Sequence, residues 1–257
     1  GYGSGIINFY NAETHLQERA PYKTSGALDD LFVADLVSTS PGAELAVVSG
    51  LYWGNLYVKN LQTYEDIWVS ELELSHAEPA DVDSDGTLEI VAVCQESTGS
   101  LDERFVVYDA ETGALEWESG SLPGGPTTLE VGDLNLDGRA EFGCILFGGD
   151  VVVLDGATGG TVLELDLVMT RTLIFYDLFP EIYGLEILVG HGQRMIDIYN
   201  GIDFSLIQSF QFSGQNADGL SVCDINMDGQ LEIIGLDYDE MFVSTLDGSK
   251  FWTAPIP

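Results

Sequence analysis

The stretch Asp81-Val82-Asp83-Ser84-Asp85-Gly86-Thr87-Leu88-Glu89 runs directly into the apolar segment Ile90-Val91-Ala92-Val93-Cys94. It returns as Asp133-Leu134-Asn135-Leu136-Asp137-Gly138-Arg139-Ala140-Glu141 and as Asp224-Ile225-Asn226-Met227-Asp228-Gly229-Gln230-Leu231-Glu232. Two looser copies, Asp35 to Glu44 and Asp177 to Glu186, keep the leading Asp, a Gly (at position 8) and a final Glu (at position 10). The five leading aspartates are spaced by 46, 52, 44 and 47 residues. Self-similarity at such a period is the mark of a repeat architecture with one supersecondary unit per repeat.

A second shared feature lies downstream in each unit. Phe105-Val106-Val107-Tyr108-Asp109-Ala110-Glu111-Thr112-Gly113 leads to Trp117, and Val151-Val152-Val153-Leu154-Asp155-Gly156-Ala157-Thr158-Gly159 leads to Leu163. Short runs rich in Val, Tyr and Phe joined by a Gly-containing turn predict a hairpin. Related hairpins are expected at Met195 to Phe210 and Met241 to Trp252, with a weaker one at Tyr57 to Leu72. Adding one strand before each Asp turn and one after it (Leu88 to Val93, Leu231 to Leu236) gives four strands per unit. Helical periodicity is absent. The expected fold is therefore all-β, a β-propeller of four-stranded antiparallel blades, with a two-sheet sandwich as the alternative. Residues 1–257 are read as one propeller with repeats near 24–74, 75–122, 123–168, 169–213 and 214–257, five full blades in all. Residues 1–23 form a partial unit: Ile6 to Tyr22, turning at Asn11-Ala12-Glu13-Thr14, resemble a third and fourth strand without the first two. Such a half-blade leaves an open sheet edge, to be completed by further residues or by a neighbouring copy of the chain.

The three full Asp loops place oxygen donors at positions 1, 3, 5 and 9: Asp81, Asp83, Asp85, Glu89; Asp133, Asn135, Asp137, Glu141; Asp224, Asn226, Asp228, Glu232. Calcium takes six to eight hard oxygens at flexible geometry, and alternate positions of a tight loop aim at one centre. Gly at position 6 allows the sharp turn, and the position 7 carbonyl of Thr87, Arg139 or Gln230 adds a donor. The loops open like the helix-flanked calcium hand, whose bidentate acid at position 12 would fall on Ala92, Cys144 and Gly235. None of these supplies a carboxylate, and the acid at position 9 leads into a strand. Clustered carboxylates that would repel one another without a cation favour calcium over a bare Asx-rich turn. The turns at Asp35 and Asp177 lack acids at positions 3 and 5 and are read as structural; Glu181 is the one extra carboxylate in either.

Composition narrows the function classes. Forty-three acidic against eight basic residues give a formal charge of −35, which three calcium ions would change only to −29. Nucleic-acid partners are excluded, because binding them rests on Lys and Arg displacing counterions. The longest apolar runs, such as Leu185 to Val189, are strand-length, far below the roughly 20 residues of a membrane helix. Cys94, Cys144 and Cys223 are an odd number at unrelated repeat positions, so they are expected as small buried hydrophobes rather than disulfides. No charged-then-apolar leader opens the sequence, so the compartment must be read from chemistry.

On these loops and their register, residues 24–257 resemble the FG-GAP or VCBS repeats of integrin-α-type propellers, strongly in three repeats and loosely in two. The phenylalanine-glycine and glycine-alanine-proline signatures are mostly absent. The resemblance implies calcium as a structural ion, a secreted or cell-surface location, and a non-catalytic part in adhesion, filament assembly or carbohydrate contact. No catalytic residue is assigned: none of His15, His76 and His191 lies beside a Ser or Cys in a nucleophile setting, and His191, in Gly190-His191-Gly192, is read as a plain loop histidine. Two enzyme alternatives, quinone-dependent dehydrogenase propellers and propeller-type polysaccharide lyases, fit less well. Trp53, Trp68, Trp117 and Trp252 share no register, and three Lys with five Arg make a poor uronate cleft. The glycan-binding alternative rests on Tyr52, Trp53 and Tyr238. The expected partners are thus a protein or a neighbouring copy at the half-blade, or a glycan.

Overall fold

Every helix or strand among the described residues is a β-strand, as the β-branched and aromatic runs between Gly and Asp turns require. The computed structural model describes residues 5–50, 54–95, 103–192, 194–211, 218–237 and 240–255. The chain divides into two compact units, Gly1–Asp81 with Asp85–Gly125, and Val82–Ser84 with Pro126–Pro257.

In the first unit β1 (Ile6–Ile7) pairs with β2 (Tyr22–Lys23). Then follow β3 (Ala27–Ala34), β4 (Glu44–Gly50), β5 (Gly54–Asn60) and β6 (Asp66–Val69), paired in sequence order. A second set, β7 (Leu74–Ala80), β8 (Glu89–Cys94), β9 (Arg104–Asp109) and β10 (Leu115–Glu118), repeats this pattern. A single register pair, Gly54 with Leu74, joins the two sets into one eight-stranded sheet. Sequence period alone does not reveal that join.

The second unit holds three separate four-stranded antiparallel sheets. They are β11 (Glu130–Gly132), β12 (Glu141–Ile145), β13 (Val151–Asp155) and β14 (Thr161–Leu165); β15 (Thr172–Tyr176), β16 (Glu186–His191), β17 (Met195–Asn200) and β18 (Leu206–Gln211); and β19 (Asp218–Cys223), β20 (Glu232–Asp237), β21 (Glu240–Thr245) and β22 (Lys250–Pro255). Second strands such as β8 and β12 are buried along their whole length, whereas outer strands such as β10 and β14 are largely exposed. Strands packed on both faces read as continuous apolar runs, which explains Ile90 to Cys94. Consecutive sheets share a core: Ile145 and Val153 with Leu173 and Ile187, and Leu188 and Ile198 with Ile233 and Phe242.

The partial unit is a hairpin, as expected, and among the described residues it pairs only with itself. Its inner face packs like that of a blade, with Ile7 against Leu45 and Val47, and Phe9 and Tyr22 against Tyr64. Arg19 Nη1 donates to the Leu61 carbonyl at 2.6 Å, and Tyr64 Oη donates to that of Ala20 at 3.0 Å. Buried Lys59 lies 5.3 Å from the ring centroids of both Tyr22 and Tyr57 and pairs with Asp66.

The recurring Asp-x-x-Thr-Gly segments close hairpins. Asp109 Oδ1 accepts from the Thr112 amide (2.6 Å) and hydroxyl (2.7 Å), and Asp155 does the same for Thr158 at 2.7 and 2.8 Å. These Asx turns hand the left-handed position to Gly113 (φ +71°) and Gly159 (φ +69°). None of the three cysteines is in a disulfide; Cys94 and Cys144 are buried as expected, but Cys223, ending β19, is half-buried.

Each second strand begins on a glutamate, and all five are buried: Glu44 0%, Glu89 6%, Glu141 3%, Glu186 0% and Glu232 2% exposed. Four of them accept, through Oε2, the amide that follows the leading Asp: Leu36 (2.9 Å), Leu134 (2.8 Å), Leu178 (2.8 Å) and Ile225 (3.0 Å). Glu44 and Glu186 also accept from Val37 and Phe179, both at 3.1 Å. Glu186→Ala strips the acceptor from two amides, Leu178's being fully buried, and is expected to cost about 2–4 kcal/mol, read as a lowered urea midpoint with unchanged slope.

Candidate metal centre

The three full loops share one internal wiring. In each, the leading Asp receives the amides of positions 5 and 6: Asp81 from Asp85 (3.1 Å) and Gly86 (3.0 Å), Asp133 from Asp137 (3.0 Å) and Gly138 (2.8 Å), Asp224 from Asp228 (3.0 Å) and Gly229 (2.8 Å). The position 5 carboxylate receives the position 7 amide, at 2.8 Å from Thr87, 3.0 Å from Arg139 and 2.9 Å from Gln230. Position 4 is left-handed despite its side chain, with φ +59° at Ser84, +57° at Leu136 and +60° at Met227. Position 6 is left-handed too, at Gly86 (+92°), Gly138 (+91°) and Gly229 (+87°). The backbones of the three loops therefore close in the same way.

The donors converge differently from loop to loop. In 81–89, Asp81, Asp83 and Glu89 each bring a carboxylate oxygen within 4.8 Å of the others'. Asp85 is turned instead onto Thr87, whose hydroxyl reaches Asp85 Oδ1 at 2.5 Å and Glu89 Oε1 at 3.3 Å; the hydroxyl and then the amide of Thr87 hold Asp85 below the usual carboxylate range. In 133–141, Asn135 Nδ2 donates to Glu141 Oε1 at 3.2 Å, and Asn135 Oδ1 is buried with no hydrogen-bond partner. In 224–232, Asn226 Nδ2 donates to Glu232 Oε1 at 3.1 Å while its Oδ1 accepts from the Asp228 amide at 2.8 Å. Burial, then the negative charges of Asp137, Asp133 and Asp155, push Glu141 up to about 7 despite the Leu134 amide. A cation among these oxygens would reverse that repulsion. The donors are all hard oxygens, the class calcium takes.

The two longer turns are built otherwise. Glu44 and Glu186 hold the turn amides through Oε2, and their Oε1 atoms are buried without a partner. Burial first, then Asp177 and Glu181, raises Glu186, but these three do not gather their oxygens as the 81–89 loop does.

A polar network that sequence reading passed over lies in the β16–β18 sheet. Asp197 accepts from Ser209 Oγ (2.5 Å) and Tyr199 Oη (3.3 Å) and meets His191 Nε2 at 2.8 Å. Burial, then Asp197, pushes the Tyr199 phenol up to about 12. The available signal was an Asp in the apolar strand Met195-Ile196-Asp197-Ile198-Tyr199. His191, read as a loop residue, ends β16. His76 meets Ser75 Oγ at 3.1 Å, and burial pushes its imidazole down against Asp30 and Asp29. Tyr52, Trp53 and Tyr238 lie outside the described residues.

No family model matches the chain, and no curated protein sequence does. Solved structures do. BBS1N, crystallised in complex with ARL6DN, is 10% identical with a TM-score of 0.70, covering 100% of this chain and 83% of its own. Sqt1 of Saccharomyces cerevisiae is 13% identical at a TM-score of 0.68, covering 98% and 68%. BamB from Moraxella catarrhalis is 15% identical at 0.53, covering 91% and 63%. All three are β-propeller proteins. The fold is that of the β-propellers. At such identities the likeness concerns fold alone, and the loops stand on their own geometry.

A Cβ on Gly229 would meet nothing within 4 Å, so its φ of +87° is the whole cost of a side chain there. Gly229→Ala is expected to destabilise by about 1–2 kcal/mol through backbone strain, measured by urea unfolding in the presence of chelator.

Proposed function

We propose that the chain is a non-catalytic, calcium-binding β-propeller of five four-stranded blades and an N-terminal half-blade, working outside the cell as an adhesion, assembly or structural module. The observation that carries this reading is the loop set. Three loops in the same place of three sheets gather hard oxygens, one with three convergent carboxylates and one with a buried, donorless amide oxygen. Asp81, Asp83, Asp85 and Glu89, Asp133, Asn135, Asp137 and Glu141, and Asp224, Asn226, Asp228 and Glu232 are the ligand candidates, completed by the carbonyls of Thr87, Arg139 and Gln230. Solvent-facing Asp loops of this kind suit the high calcium activity outside cells, where modules work with dissociation constants of about 10⁻⁴–10⁻³ M.

A protein partner is the proposed ligand class. BBS1N carries ARL6DN in its crystal, and a propeller surface serving such a contact is the role proposed here. The β1–β2 hairpin is the second contact proposed: among the described residues no other strand pairs with it, which leaves an edge for a strand of a protein partner or a neighbouring copy.

Thermal unfolding with calcium and with chelator tests the proposal. Binding to the folded state alone stabilises by about 2.7 kcal/mol per site at a hundredfold excess over the dissociation constant. Calcium is expected to raise the parent's midpoint and to leave that of Asp81→Ala, Asp133→Ala, Asp224→Ala unmoved. A parent midpoint indifferent to both calcium and chelator would overturn the reading.

A further inference from the structure

We infer that a cavity at the β12–β13 turn takes the C-terminal residue of a protein partner, an apolar side chain carrying a free α-carboxylate. The inference takes its occupant from the protein-partner reading above. The cavity itself stands apart from the Asp loops: β12 leaves its loop at Glu141 and reaches the turn after Ile145, at the other end of the strand.

Two irregular segments form the cavity, the turn 146–150 and the link 166–171 between β14 and β15. The turn closes on itself, with the Leu146 amide donating to the Asp150 carbonyl at 2.7 Å and the Gly149 amide to that of Leu146 at 2.9 Å. A Cβ on Gly149 (φ +114°) would lie 2.7 Å from the Met169 amide nitrogen and 3.0 Å from that of Thr170, so glycine is what lets the turn press against the link. The cavity measures about 510 Å³, within the roughly 300–1,000 Å³ of ligand sites.

Its lining departs from the rest of the chain. Phe147 is 88% exposed and Met169 48%, apolar surface that the fold leaves uncovered, and Val168 beside them is 65% exposed. Acids outnumber bases by 43 to 8 in the chain, yet Arg171 lines this cavity and, among the described residues, no acid does. Two cavities beside Asp turns are lined instead by Asp35, Asp109 and Glu111, and by Glu181 and Asp247. A base in an apolar setting is complementary to a carboxylate carried on an apolar body. Its guanidinium has five N–H donors, so holding one partner still leaves donors for a carboxylate. Thr170, another lining residue, is 7% exposed and its Oγ1 has no hydrogen-bond partner.

Hydroxyl supply and charge decide between occupants. The Thr127 hydroxyl donates to the Ile145 carbonyl at 3.0 Å, and that of Thr128 accepts the Ile145 amide at 2.9 Å. Both are tied to β12, so a glycan would bury hydroxyls here with few partners for them. An acidic loop would bring several like charges against a chain of net charge −35. A terminal residue brings one carboxylate, on the same residue as its apolar side chain.

Fluorescence anisotropy of the full chain with a fluorescein-labelled glycine-serine peptide ending in leucine, as free acid and as carboxamide, tests the assignment. The free acid is expected to bind, and the carboxamide about tenfold more weakly, since charge-assisted hydrogen bonds are roughly twice as strong as neutral ones. Phe147→Ala, at an exposed site, is expected to leave the thermal midpoint unmoved and to weaken the free acid about tenfold or more, as loss of an aromatic anchor does. Arg171→Gln is expected to bring the free acid down to the level of the carboxamide. No binding of either peptide, equal binding of both, or a Phe147→Ala variant that binds like the parent would overturn the inference. An array of free-acid pentapeptides bound without preference at any position before the last would assign the cavity to small carboxylates and overturn the protein terminus as occupant. The thermal response to calcium is read separately, so failure here leaves the calcium reading standing, and a calcium-indifferent parent leaves the cavity standing.

Discussion

A buried glutamate carboxylate that accepts the backbone amide of the turn beside it is the interaction on which the described architecture depends. A carboxylate removed from water is costly unless donors surround it, so each one fixes the turn that supplies those donors. At Glu44 and Glu186 two consecutive amides converge on Oε2, and at Glu141 and Glu232 one amide and one Asn side chain share the carboxylate. In every case the glutamate is also the first residue of a second strand, β4, β12, β16 or β20. Turn shape, strand start and core burial are therefore set at one residue, and the ion-competent loops are variations on that anchor rather than separate inventions.

Much of this was legible in the sequence because the decisive signals are local. The Asx turns at Asp109 and Asp155 and the loops led by Asp81, Asp133 and Asp224 close on hydrogen bonds between residues two to five apart, and the residue types demanded at each place recur in register. The strands around them follow from apolar runs of strand length. What escaped sequence reading is cross-strand. The contact of Gly54 with Leu74 and the meeting of His191, Asp197 and Ser209 depend on sheet register. Likewise the partner of Glu141 is fixed by whether position 3 carries an amide or a second acid, and only the folded loop shows which atom faces which. Cys223 departs from the expected burial because it ends a first strand, where its sheet gives less cover than the second strand holding Cys94.

Likeness to solved propellers at 10–15% identity over nearly the whole chain shows how little of the sequence the fold requires. Sheets of four strands at a steady period need apolar alternation and competent turns, and many sequences supply both. The side chain at position 3 of the three full loops, Asp83, Asn135 or Asn226, is not among those needs.

Lys59 and Arg104 are turned inward, the first buried beneath two tyrosines and the second paired with Glu118 at 3.0 Å with its side chain only 13% exposed. With only eight basic residues in the chain, this leaves few cations to interrupt a surface dominated by 43 acids. Two such surfaces approaching in dilute buffer meet a long-range barrier, and its reach contracts from about 30 Å at 0.01 M salt to about 3 Å at 1 M. Self-avoidance is thus built into the molecule, and ionic strength decides how near two copies can come before any specific contact is felt.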